Sequence, residues 1–391
     1  MRRGGRARTG PGVKEAGGRR SEHATAVSVW PPLPLSTPFR RPRAPAWPLG
    51  DPRCRLFRWA RQALYHGVSS LSLPAGATFL VPAYHHGSEI EALVRAGVSL
   101  GFYDVWPDLS PDEGSLDAAL DDSVAGLYLI HPIGIAQDAG RWRAWADERG
   151  LLLIEDAAQS WMASSGGEPA GALGDLSIFC LYKSFGVPDG AALVGPAVEA
   201  PVVGPIGAGA TLLRAGAWAA SRSRAVATVA AARTRRRASR GGHDTERAGE
   251  LVADMELDPA PAAPSRLSRW LLPRAFEADA PARRRANYET LLEGLGELVP
   301  EPMRSVPAGA APWVFPIAVT EDKEGAFLRL RNLRIDAVHL WKLPHPLLDA
   351  SAFPVAARLR DTLIGLPVHH ELRDEDLDRI ARATKEALAR A

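Results

Sequence analysis

The sequence predicts an α/β protein, with a large domain on a mostly parallel sheet and a smaller C-terminal α/β domain. Three observations carry this. Between Arg55 and Val194, apolar runs of strand length alternate with helical patterns, which is the signature of βαβ units. The run Leu151-Leu-Leu-Ile-Glu-Asp156 stops abruptly at two carboxylates, as a buried parallel strand does when it delivers an acid to the carboxyl edge of a sheet. The chain has 391 residues, more than one hydrophobic core usually serves, so two domains are expected. The division reads as a disordered basic extension over 1–29, a large domain over 30–264 and a small domain over 265–391.

The elements follow in order. Residues 1–29 are rich in Arg and Gly with no apolar period, and Trp30-Pro-Pro-Leu-Pro leads into the fold. Leu56 to Gly67 reads as a helix, and Thr78 to Val81 as a strand stopped by Pro82. Gly87 to Ala96 is a helix closed by Gly97. Strands follow at Val98 to Val105 and Gly126 to Ile130. Asp138 caps a helix that carries Trp142, Trp145 and Ala146 on one face. After the Leu151 strand, Leu176 to Leu181 and Ala191 to Val194 flank a short loop holding Lys183. The Ala/Arg-rich stretch 196–264 reads as an irregular insertion or a helix. Its run Arg233-Thr-Arg-Arg-Arg-Ala-Ser-Arg240 has no interleaved aromatics, so a solvated face is the better reading than a nucleic-acid patch. Helices are expected at Asp279 to Leu295, at Leu328 to Leu333 and from Asp374 to the end. Strands are expected at Trp313 to Val319 and Ile335 to Leu340.

Composition excludes several classes. A net charge of +2 gives no overall pull toward nucleic acid or membrane. Cys54 and Cys180 have no CxxC spacing, which suggests a reducing, cytoplasmic setting and argues against structural zinc. The longest apolar region, about Gly190 to Leu213, is broken by prolines and Glu199, so no membrane span is expected.

An acid at a strand end plus a lysine on a downstream loop is what a pyridoxal phosphate (PLP) enzyme needs. Lys183 would make the Schiff base, its neutral amine attacking the cofactor aldehyde among apolar neighbours. Asp156 would keep the pyridine nitrogen protonated. Gln159, one turn on, can reach the ring hydroxyl, and His86 can stack on the ring. The bland alternatives are a helix-capping aspartate, a surface lysine and a loop histidine hydrogen-bonded to backbone. His131 and Gly134 end another strand and would shape the pocket, with turn chemistry as the alternative. Tyr84 and His85 offer further aromatic groups. The paired histidines lack a third ligand at metal spacing, so no metal is expected.

These features, in this order, resemble the DegT/StrS sugar aminotransferases, a branch of the fold type I PLP enzymes. The matching text is Val81-Pro-Ala-Tyr-His-His86, Phe102-Tyr-Asp104-Val, His131-Pro-Ile-Gly134, Ile154-Glu-Asp156-Ala-Ala-Gln159, Leu173-Gly-Asp175, and Lys183 with Asp189-Gly-Ala-Ala-Leu. Leu333-Arg-Ile-Asp, Phe353-Pro and Leu366-Pro-Val-His-His370 resemble that family's small domain. The resemblance covers about Arg55 to Val194 and Ser265 onward.

It implies a fold type I transferase with a seven-strand-type sheet. Lys183 would be the Schiff-base lysine, with Asp156, Gln159 and His86 at the cofactor, and Tyr84 and His131 toward substrate. It further implies a homodimer that moves an amino group from an amino-acid donor to a nucleotide-linked keto sugar. Three departures stand out. Arg58 to Ala63 holds no small hydroxyl residue where the cofactor phosphate is expected, leaving Arg61 to supply charge. The serine usually found before the lysine is absent, and Cys180 or Ser177 falls nearest. The stretch 196–264 matches nothing. A second reading follows from them, a homologue that has lost catalysis and serves as a binding or regulatory protein.

Overall fold

The computed structural model describes residues 26–44, 46–196, 198–201, 257 and 260–389. A seven-stranded sheet forms the larger layer. Its strands are β1 (Cys54–Phe57), β2 (Thr78–Pro82), β3 (Ser99–Tyr103), β4 (Val124–Ile130), β5 (Leu152–Asp156), β8 (Leu176–Cys180) and β9 (Ala191–Val194). They lie in the order β1-β9-β8-β5-β4-β2-β3. Neighbours from β3 through β8 run parallel, while β9 is antiparallel to both β8 and β1. A small hairpin, β6 (Ser164–Ser165) with β7 (Glu168–Pro169), stands apart.

The unbroken apolar runs of the inner strands reflect burial on both faces. Strand alternation sends Leu80, Leu127, Leu129 and Leu153 to one core, and Phe79, Val81, Tyr128 and Ile154 to the other. The second core is covered by α1 (Ala60–Ser69) and α2 (Ser88–Arg95). Each such buried Leu or Phe stabilises the fold by about 1.5–3 kcal/mol. The remaining connections carry α3 (Glu113–Ala118), α4 (Ala139–Asp147) and the single turn α5 (Leu181–Ser184). Asp138 accepts from the Arg141 N–H, so it caps α4 as its sequence position predicts.

The C-terminal region contributes α6 (Arg266–Ala275), α7 (Ala280–Leu295), α8 (Lys323–Asn332), α9 (Pro354–Thr362) and α10 (Asp374–Leu388). The last four pack around a three-stranded antiparallel sheet, β10 (Val314–Ala318), β12 (Leu363–Pro367) and β11 (Val338–His339). α6 packs on the large domain, where Leu271, Leu272 and Ala275 join Trp161, Phe179 and Phe185. No helix of the described residues is long and apolar enough to cross a membrane.

Several expectations need correction. Leu56 to Gly67 is not one helix, because Cys54–Phe57 pairs with β9 and α1 starts at Ala60. The sequence position of Asp374 suggests an N-cap, but Arg373 caps α10, and Asp376 reaches back to the Arg373 N–H. The expected strand Ile335 to Leu340 shrinks to two residues. The basic extension does not run to residue 29. Val27 and Val29 are buried, and Val27 exchanges backbone bonds with Arg334 and Asp336 at 2.9 Å each. Residues 1–25 and nearly all of the Ala/Arg-rich stretch, its basic run included, lie outside the described residues.

Candidate active site

The carboxyl edge of the sheet opens into a cavity of about 480 Å³, into which β5, β8, α1 and the small domain all project. Asp156 ends β5 and lines it. Its Oδ2 accepts 2.6 Å from the Tyr128 hydroxyl, and its Oδ1 accepts 2.8 Å from the Ala158 N–H. Tyr128 reaches Asp156 because β4 lies beside β5 in parallel register. Burial, and then the charge of nearby Glu89, push the Asp156 carboxyl above its usual range; the Tyr128 and Ala158 bonds and the Lys183 ammonium only partly offset them. A buried acid of this kind is best satisfied by a cation.

Lys183 projects into the same cavity from α5, directly after β8. Its Nζ stands 5.0 Å from the centroid of the Trp313 ring. The turn is pinned on both sides. The Leu181 N–H donates 2.9 Å to the Gly190 carbonyl. The Ser184 carbonyl accepts 2.5 Å from Nη2 of Arg284, a fully buried guanidinium on α7 that also donates to the Pro312 carbonyl and to His370 Nδ1. Burial lowers the Arg284 pKa to about 10. Beyond Gly190, Asp189 accepts from the Ser265 N–H and from the Ser265 and Ser268 hydroxyls, which ties the loop to the start of α6.

Gln159 also lines the cavity. Its Oε1 accepts 2.9 Å from the Ile133 N–H, which leaves the amide NH₂ as the donor end. His86 lines the cavity on the α2 side, edge-on to Trp341 at 5.2 Å. Its backbone N–H donates 2.8 Å to Glu89. Trp59, Ala60 and Arg61 bring the first turn of α1 to the cavity, with Trp59 at the N-cap and no side-chain cap. That end carries the positive pole of the helix, an anion seat reinforced by Arg61. Cys180 lines the cavity too, with its thiol pushed up by burial.

The structure places three expected residues elsewhere. Strand alternation sends Ile178 and Cys180 to the cavity and Ser177 to the opposite face, where its Oγ finds no partner among the described residues. His131 is fully buried in a separate network. Its Nδ1 accepts 3.0 Å from the Gln137 N–H, so Nε2 donates 2.9 Å to Glu155. Glu155 also accepts from the N–H groups of Gly171, Leu173 and Gly174. Burial alone would raise the Glu155 carboxyl, but His131 and these amides hold it below its usual range. Tyr84 is buried, and its hydroxyl donates 2.6 Å to the Leu340 carbonyl.

Gly134 supports the site from behind. Its φ of +91° and a Cβ position 2.3 Å from the Ala311 carbonyl oxygen leave room only for glycine. The strand segment carrying Trp313 docks there through Ala311 N–H to Gly134 O at 2.8 Å and Trp313 N–H to Ile133 O at 2.9 Å. Gly134→Ala should therefore destabilise the protein by about 2 kcal/mol or more, read from denaturant unfolding midpoints.

Sequence reasoning missed an aromatic wall. Trp30, Trp313 and Trp341 line the cavity, as do Trp59, Tyr182 and Phe327. Their separation along the chain gives no local pattern, and the only available signal was the high count of 11 tryptophans. One cluster elsewhere, Glu277, His370 and Glu371, has donor atoms within 4.8 Å of one another. The Glu277 carboxylate is already held by Arg40 and Arg283, whose charges oppose a metal cation.

Residues 59–194 match the model of the DegT/DnrJ/EryC1/StrS aminotransferase family. Protein MosB of Rhizobium meliloti is 30% identical over 125 residues, 31% of this chain and 24% of that protein. GDP-perosamine synthase of Vibrio cholerae is 26% identical over 121 residues, 31% of this chain and 33% of that protein. The matched region thus spans about a quarter to a third of these relatives. Among solved structures, S. venezuelae DesV in complex with a ketimine intermediate aligns with TM-score 0.60 at 21% identity, covering 86% of this chain and 85% of that one. The aminotransferase TlmJ from Streptoalloteichus hindustanus aligns with TM-score 0.63 at 17% identity, covering 93% and 99%. The fold is therefore the fold type I architecture of these aminotransferases.

Proposed function

We propose, from the match of residues 59–194 to the DegT/DnrJ/EryC1/StrS aminotransferase family, that the chain is a PLP-dependent aminotransferase acting on a keto sugar. One observation carries the reading. A lysine amine and a buried carboxylate that burial disfavours as an anion face the same cavity, beside a set of aromatic rings.

The residues fit the cofactor in type and placement. Asp156 would meet the pyridine nitrogen, where a proton relieves the cost of its buried charge. The Gln159 amide would donate to the ring hydroxyl, and His86 would offer its ring. The first turn of α1, with Arg61, would take the phosphate. When bound, the cofactor supplies an electron sink for the pair left on the substrate carbon. Lys183 Nζ would hold the cofactor and then act as the base and the acid that moves the substrate proton. Tyr128 and the Ala158 N–H orient Asp156, and the tryptophans exclude water from the reacting atoms. In its finer form the proposal takes a nucleotide-linked keto sugar as acceptor, an amino acid as donor, a homodimer as the working unit and the cytoplasm as its place.

A second reading, a binding or regulatory protein without catalysis, draws on one feature, the bulky Trp59 at the N-cap of α1. A single experiment decides. Protein incubated with PLP should develop a visible absorbance band, and borohydride should fix the cofactor's mass on the peptide containing Lys183. No band and no adduct would leave the binding reading standing.

A further inference from the structure

We propose that Trp30 determines acceptor specificity, forming with Trp313 and Trp341 a wall that receives the apolar face of a six-membered ring. The inference rests on the aminotransferase reading and goes on to the shape of its acceptor.

Three observations support it. The indoles are contiguous. Trp30 lies 5.8 Å from Trp313 at 48°, and Trp313 lies 6.0 Å from Trp341 at 19°. All three line the cavity, and Trp313 stands beside the Lys183 amine. The lining also carries polar groups, Asp156, Gln159, Glu89, Ser88 and Arg61, among aliphatic side chains such as Leu64, Ile178 and Val338. A cavity that offers contiguous indole faces together with polar groups suits a ring with C–H groups on its face and hydroxyls at its rim, whereas a short acyclic ketone would leave the indoles uncovered.

Trp30 differs from its neighbours in how it arrives. It comes on an N-terminal strap outside both sheets, and the strap is fastened. Val27 bonds to Arg334 and Asp336, and the Ser28 carbonyl accepts 3.1 Å from His369 Nε2. The Trp30 N–H donates 3.1 Å to the Ser28 hydroxyl. Further on, Pro32 and Leu33 press against Gly186, three residues past Lys183, so closely that a Cβ there would stand 2.7 Å from the Leu33 nitrogen. The strap thus ties the small domain to the lysine turn and delivers one half-buried indole to the cavity. These anchors are backbone atoms and the Ser28 and His369 side chains, so truncating the indole leaves them in place.

The test uses the parent, Trp30→Ala and Trp30→Phe as full-length protein loaded with the aminated cofactor. Each is mixed with two ring ketones, scyllo-inosose and UDP-4-keto-6-deoxyglucose, and with pyruvate as the acyclic ketone. Return of the visible band gives the rate constants. Intrinsic tryptophan emission, titrated with each ketone on cofactor-free protein, gives binding without turnover. The parent should favour at least one ring ketone over pyruvate. Trp30→Ala should lose ~10-fold or more of that preference, with weaker ring binding, and Trp30→Phe should recover part of it. A parent that prefers pyruvate, or reacts with none of the three, overturns the proposal. So does a Trp30→Ala protein with an unchanged ratio, or with equal losses on every ketone. A parent that forms no Lys183 adduct overturns the aminotransferase reading itself, a result separable from these.

Discussion

Lys183→Ala protein will carry no borohydride-stable cofactor adduct, and its transamination kcat/KM will fall by roughly 10³-fold or more, about 4 kcal/mol of barrier. The size follows from the two tasks assigned to one amine, holding the cofactor and moving the proton. Stability should barely respond. Lys183 sits on a single turn whose geometry is fixed by other groups, the Arg284 guanidinium on Ser184 and the Leu181–Gly190 backbone bond. The described contact of its Nζ is the Trp313 ring at 5.0 Å, worth about 0.5–1 kcal/mol at a partly exposed site. Thermal melts within a few degrees of the parent, together with lost activity, would separate chemistry from folding. A variant that kept both adduct and turnover would remove Lys183 from the mechanism.

Which parts of this molecule were legible in its sequence follows from which forces are local. The inner strands stood out because both their faces are buried, so Thr78 to Val81 and Leu151 to Ile154 read as apolar runs with sharp ends. β1 did not, because an edge strand carrying Arg55 lacks that run, and its end merged with the start of α1. In the small domain, β11 is two residues long and too short for a period to register.

The site divides in the same way. Asp156 was visible because an acid ending an apolar strand is a local anomaly, and Lys183 because the flanking strands frame it. Tyr128 was not singled out, since its role comes from lateral register between β4 and β5. Ser177 and Cys180 both stand near Lys183 in sequence, and strand alternation turns only Cys180 to the cavity. For His131 the deciding partner is likewise not local. A histidine at a strand end looks functional, but the next strand supplies Glu155 and draws it into a buried pair. The tryptophan wall gathers residues nearly 300 positions apart, and nothing short of the folded chain brings Trp30 to Trp313.

Asp156→Asn should cost about 10²–10³-fold or more in kcat/KM while leaving the cofactor-free protein no less stable at neutral pH. The activity loss equals removing one partner of a buried charge pair, about 3–5 kcal/mol, at 1.36 kcal/mol per tenfold. The stability half follows from the direction of the Asp156 shift. Its folded-state pKa is raised, by burial first and by the Glu89 charge second. A group shifted upward contributes its stability below the unfolded pKa and loses it as pH rises through the folded value. Cofactor-free parent should therefore weaken relative to Asp156→Asn as pH climbs from about 4, and the difference should flatten once the carboxyl is ionised. Adding PLP should reverse the order, because the protonated pyridine nitrogen meets the carboxylate in the parent and a neutral amide in the variant. Melting temperatures of both proteins across that range, with and without PLP, check the three statements together. An equal gain from PLP in parent and variant would mean that Asp156 meets no charge on the cofactor, whatever its place in the fold.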